Sequence, residues 1–191
     1  SVGDVSVQNT RPLAVQANGL PFTAIKARFE LALAEQQPRQ FDLWVDALNF
    51  ADGKRNAGDA TAVLQWRAPK PLEDGQPNPD LMAGDVDFKI DTRNVDASVF
   101  ASLPQPLSIT SSLQGTKNGN VVRVNSLTVR DREALLQGKL LAGLGGKMPL
   151  DLQLKLTAIN PGNYIPDSGP LLQGKLNGDL FFKGELAPSG N

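Results

Sequence analysis

The chain has 191 residues, 40 % of them hydrophobic, with 19 basic against 20 acidic side chains and a net charge of −1. That balance creates no long-range field to gather nucleic acid or anionic lipid headgroups. Histidine and cysteine are absent, which removes the commonest general base and metal ligand, thiol nucleophiles and disulfides; the reading is a protein without catalytic site, metal or cofactor.

No stretch of apolar residues is long enough to span a membrane as a helix. The start, Ser1-Val2-Gly3-Asp4, lacks the basic and apolar regions of a signal peptide. Both ends break off within a pattern, so a single fragment of a larger domain is expected, with any anchor or address outside it.

Alternation of apolar and polar residues makes strand the default reading along the chain. Over residues 24–34, Ile25, Ala27, Phe29, Leu31 and Leu33 fall on one face, with Lys26, Arg28 and Glu30 on the other. Phe41, Leu43, Val45 and Ala47 oppose Asp42 and Asp46; Ala62, Leu64 and Trp66 oppose Gln65 and Arg67. The clearest strands are Val86, Phe88 and Ile90 against Asp85, Asp87, Lys89 and Asp91, and Leu150, Leu152, Leu154 and Leu156 against Asp151, Gln153 and Lys155. Residues 172–186 alternate Leu, Gly or Phe with polar side chains over a length unusual for a compact domain.

Turns are expected at 52–54, 69–79, 117–120, 130–132 and 143–146, where Gly, Pro, Asn and Asp or alternating charges cluster. Short helices are expected at 94–102 and 160–165. Phe88-Lys89-Ile90 matches Leu154-Lys155-Leu156 at an offset of 66 residues, which persists from Asn94 and Asn160 to Pro104 and Pro170. The expected organisation is repeat units over about 81–146 and 147–191, after a divergent unit over 1–80. Such units stack because none covers its own apolar face.

Little else carries chemistry. The Gly143 to Met148 stretch lacks the spacing of a phosphate loop and reads as a hairpin. Asp85, Asp87 and Asp91 read as a solvated face rather than a calcium site. Asp131 and Glu133, flanked by Arg130 and Arg132, read as a wet turn, and Trp44 as a cover for an edge or loop.

The run Leu154-Lys155-Leu156-Thr157-Ala158-Ile159-Asn160-Pro161, then Leu172-Gln173-Gly174-Lys175-Leu176-Asn177-Gly178-Asp179-Leu180, resembles the TamB family of translocation and assembly module subunits, within the AsmA-like proteins. Asn125-Ser126-Leu127-Thr128-Val129 and Leu135-Leu136-Gln137-Gly138-Lys139-Leu140 fit the same pattern. The resemblance implies an all-β, elongated, curled open sheet with an apolar concave interior, in a periplasmic protein anchored in the inner membrane of a Gram-negative bacterium. It implies phospholipid acyl chains or nascent outer-membrane protein strands as cargo, and the barrel protein TamA as a partner through parts outside this segment. The groove lining expected is Ile25, Phe29, Leu31, Val86, Phe88, Ile90, Leu152, Leu154, Leu156, Leu176, Leu180 and Phe182. The alternative is a closed β-sandwich or solenoid serving as a structural or adhesive stalk.

Overall fold

Ten strands hydrogen-bond in sequence order in a computed structural model. It describes all residues except 35–36, 74, 77, 102–106, 145–147, 166–173 and 187–191. They are β1 (Val2–Gln8), β2 (Phe22–Ala34), β3 (Gln37–Asp52), β4 (Arg55–Arg67), β5 (Asp85–Asp96), β6 (Ser108–Asn118), β7 (Val121–Asp131), β8 (Ala134–Gly143), β9 (Met148–Ile159) and β10 (Leu176–Leu186). Every pairing is antiparallel, and β1 and β10 are edges that do not meet. The fold is one elongated, curled open sheet.

Substantial contacts between strands run only between sequence neighbours, so among the described residues no second layer packs on the first. This overturns the closed sandwich, and the antiparallel order overturns the solenoid. The accessible surface is 12559 Å² for 20.4 kDa, whereas a compact monomer of that mass exposes roughly 8,800 Å². Among the described residues, Val99 is the one large side chain that is fully buried.

The expected helices are shorter than the sequence suggests. β5 continues through Asp96, and the first helix reduces to a 3₁₀ turn, Ala97–Val99, whose Ser98 amide donates to Asp96 Oδ1 at 2.9 Å. The second is Pro161–Asn163, with the Gly162 amide donating to Asn160 Oδ1 at 3.1 Å. Each turn follows a strand that ends in a bulge, and in β5 the strand runs on through residues 94–96 of the expected helix.

The two bulges share one construction. Asn94 and Ala158 have positive φ, 48° and 52°. Each inserts an extra residue, between Thr92 and Val95 in β5 and between Leu156 and Ile159 in β9. The displaced amides are bonded by side chains of the next strand: Asn94 N–H donates to Thr110 Oγ1 at 3.1 Å and Ala158 N–H to Asn177 Oδ1 at 2.9 Å. The extra residue reverses side-chain parity, bringing Val95 and Ile159 onto the apolar face. Asn94 and Ala158 stand 64 residues apart, as do the turn caps Asp96 and Asn160. The structural repeat thus differs by two residues from the 66-residue alignment, and an even step leaves every side chain on the same face.

Candidate functional site

The register carries apolar residues across the sheet in unbroken rows. One row runs Gly3, Phe29, Leu43, Leu64, Phe88, Gly115, Val124, Leu140, Leu152, Phe182, one residue from each strand. The next runs Val5, Ala27, Val45, Ala62, Ile90, Leu113, Leu127, Gly138, Leu154, Leu180. Flanking rows hold Ile25 and Leu156 on one side, Leu31 and Val86 on the other, and Leu176 pairs Ile159 beyond the β9 bulge. All twelve residues singled out from the sequence therefore lie on one face. Of the residues that complete it, Leu43, Leu64 and Leu140 carried the same alternation but were not singled out, whereas Val124 and Leu127, three residues apart, share the face only through a bulge in β7.

Among the described residues no layer covers this face. Ile90, Leu176, Leu180 and Phe182 are exposed, Leu180 to 54 %, and the other eight are half-buried by their neighbours in the sheet. At ~4.8 Å between strands, ten strands make an apolar strip about 43 Å long. Its floor is kept low by large side chains lying over glycines. A Cβ at Gly3 would meet the Phe29 ring at 2.5 Å, and one at Gly138 would meet Leu154 Cδ2 at 2.5 Å. Phe29 and Phe41 pack ring to ring at 6.3 Å.

Several polar groups on this face are bonded to one another or to the adjoining loop. Thr92 and Ser111, opposite each other in the row of Ile25, share a hydroxyl bond of 2.8 Å, and the Ser111 amide donates to Thr92 Oγ1 at 2.9 Å. Lys117, opposite Val86, turns its ammonium to the carbonyls of Met82 and, at 2.8 Å, Gly84. Trp66 Nε1 donates to the Leu81 carbonyl at 3.2 Å. These bonds tie the 81–84 loop to one end of the strip. At the other end Val99 and Leu107 are buried, and Phe100 packs edge-on to Phe50 at 5.3 Å.

The opposite face is charged. Lys89 pairs with Asp91 at 2.9 Å, and Ser112 Oγ donates to Asp91 Oδ1 at 2.6 Å. The Ser112 bond first, and then Lys89, hold the Asp91 carboxyl below its ordinary value despite partial burial. Asp85 accepts from the Gly119 amide at 3.2 Å. No cluster of acidic residues among the described residues is placed to hold a metal ion. Trp44 is stacked under the Arg28 guanidinium at 4.7 Å. Phe181, 75 % exposed, is an apolar exception on this face near the β10 edge. Residues 145–147 of the hairpin expected at 143–148 lie outside those described.

The expected wet turn at 130–133 is half wrong. Glu133 is exposed and pairs with Lys175. Asp131 shares parity with Val129, points to the apolar face and is only 7 % exposed. Local sequence reads its neighbours' charges, whereas burial depends on Tyr164, 33 residues away, whose hydroxyl donates to Asp131 Oδ2 at 3.5 Å.

Comparison with protein-family models, with curated proteins and with solved structures gives no match for this chain. Fold and face together define a class: an all-β open sheet presenting a continuous, uncovered apolar strip on one side and a charged surface on the other.

Proposed function

We propose that the chain is a periplasmic trough that carries apolar chains along its strip, within a bridge between the inner and outer membranes of a Gram-negative bacterium. Phospholipid acyl chains are its cargo, and the apolar side of outer-membrane and autotransporter protein strands during assembly fits the same surface. The observation that carries the reading is the pair of ten-residue apolar rows through Phe88 and Ile90, which among the described residues have no covering layer. The residue pattern shared with the TamB family adds the periplasmic setting, an inner-membrane anchor and the partner TamA, both through parts beyond this segment. The chain's own part is to bind without catalysis.

The magnitude fits reversible holding. Each methylene withdrawn from water contributes ~0.8 kcal/mol, and a chain lying on an open face is covered on about half its surface. A dozen methylenes would then contribute roughly 5 kcal/mol before the cost of association. That permits transfer along the strip rather than permanent capture.

The test is a photo-crosslinking residue at Phe88, Leu154 or Leu180, with controls at Lys89, Lys155 and Asp179 on the charged face, in living Gram-negative cells. Phospholipid adducts at the first three positions and none at the controls are expected. Adducts at neither set would sink the trough reading.

A further inference from the structure

A cavity of about 230 Å³ lies at the margin of the strip where β5, β7 and β9 finish, walled by Leu107, Ile109, Val129, Leu136, Leu156 and Tyr164. Ile109, Val129, Leu136 and Leu156 come from four consecutive strands, so the cavity extends along the strip across three strand spacings, about 14 Å. Val129, Leu136 and Leu156 also stand in the row of Ile25, which makes cavity and strip continuous. Leu107 and Tyr164 come from outside the strands: the Leu107 carbonyl accepts from the Ala97 amide at 2.8 Å, and the Tyr164 amide donates to the Pro161 carbonyl at 3.0 Å. The cavity is closed where the strip is open, since Leu107 and Ala134 in its walls are buried whereas Leu180 and Phe182 are exposed. Asp131 borders it, but Oδ1 is shielded from solvent and Oδ2 accepts from the Tyr164 hydroxyl. The space thus offers an entering molecule almost nothing but hydrocarbon.

We infer that this cavity seats the terminal segment of a straight acyl or alkyl chain, which enters tail first over Leu136 and Leu156 and leaves its head group on the strip. A polar head in the cavity would give up its water without gaining a partner. A dry apolar cavity of about 150 Å³ takes the six carbons of benzene. At that density the 230 Å³ here takes roughly nine carbons. The walls surround such a segment on most sides, whereas a chain on the open strip is covered on about half its surface. A methylene in the cavity therefore raises affinity about fourfold and one on the strip about twofold. The inference rests on the trough reading and adds to it a seat for the tail, which sets the direction of the chain.

The test measures displacement of the apolar dye N-phenyl-1-naphthylamine from the 191-residue chain by straight-chain alkyl maltosides from hexyl to tetradecyl, each below its micelle-forming concentration. Affinity should rise about fourfold per methylene up to roughly nine carbons and about twofold per methylene beyond. Ala134, buried in the cavity wall, is the position that locates the break. Ala134→Leu adds three carbons to the lining and should move the break about three carbons shorter, with the twofold slope unchanged. If that variant fails to fold, a decyl maltoside carrying a diazirine at its last carbon locates the tail in the wild type, and its adducts should concentrate within residues 107–109, 129–136 and 156–164. A single slope over the whole series, a break that Ala134→Leu leaves in place, or adducts spread evenly along the strip would overturn this inference and leave the trough standing. If no chain displaces the dye, both fall together.

Discussion

The Phe88 ring lies across Gly115, its direct partner in the β5–β6 register, so that a Cβ at position 115 would sit 2.6 Å from Phe88 Cζ and 2.5 Å from the Arg123 carbonyl oxygen. The ring alone could swing aside, but the carbonyl belongs to β7 backbone. Gly115→Ala should therefore destabilise the sheet by about 1–3 kcal/mol, as overpacking does. Urea unfolding of the variant measures this, and a loss below a few tenths would show that β7 yields freely. Gly53→Ala is the contrasting change. Its hairpin has open space around the missing Cβ and a φ of +59°, so any cost there comes from backbone conformation and not from crowding.

The paired bulges make a second prediction. Thr110→Val and Asn177→Ala each remove the acceptor for a displaced amide, at a cost of about 1 kcal/mol apiece. Ala158→Gly relieves a left-handed conformation worth roughly 1–2 kcal/mol to an L-residue, less the extra backbone entropy of glycine, for a net gain below about 1 kcal/mol. Asn94→Gly should gain less, because asparagine tolerates this conformation. Chemical denaturation midpoints of the four variants, ranked against wild type, check the order.

Asp42 is 4 % exposed on the charged face, and Arg67 Nη1 donates to its Oδ1 at 2.6 Å, with the Gln40 amide beside it. Removing one partner of a buried pair strands the other charge. Because the Arg67 side chain is 43 % exposed, solvent screens part of the effect and Arg67→Met should cost about 2 kcal/mol. The double variant Asp42→Leu/Arg67→Met should recover most of that loss. A double variant as unstable as the single one would show that the pair positions the strands rather than merely neutralising itself.

Acid sensitivity follows from Asp91 and Asp96, both held below the ordinary carboxyl value of 3.8. At Asp91 the Ser112 hydrogen bond dominates. At Asp96 burial opposes the shift and is outweighed by Ser98 and Arg55. Folded-state values depressed in this way stabilise the protein above pH 3.8, and that contribution is lost as pH falls below it through the folded values. Urea midpoints should fall between pH 5 and pH 2.5 more steeply in wild type than in Asp91→Asn. Parallel curves would show that Asp91 has no part in the acid limb.

Strand type and facing were legible in the chain because a period of two places alternate residues on opposite faces wherever a strand pairs. Phe88 and Leu154 could be assigned to one face with no knowledge of their partners. β6 was harder to read, since Ser111 and Gly115 interrupt its apolar alternation. Both occupy the apolar face, Ser111 because Thr92 satisfies it and Gly115 because Phe88 fills its space. Asp131 was misread for the same reason, since its environment is made by Tyr164 and not by Arg130 and Arg132.

The sequence by itself determined that this is an all-β chain with one apolar and one charged face, and which side chains share a face within each uninterrupted strand segment, because alternation is a local property. Tertiary structure alone decided that the faces stay unpaired, that β1 and β10 remain apart, and that the bulges at Asn94 and Ala158 return Val95 and Ile159 to the apolar side. Register, closure and burial depend on contacts between residues distant in the chain, and alternation within one strand carries no information about which strand lies beside it or whether anything lies above.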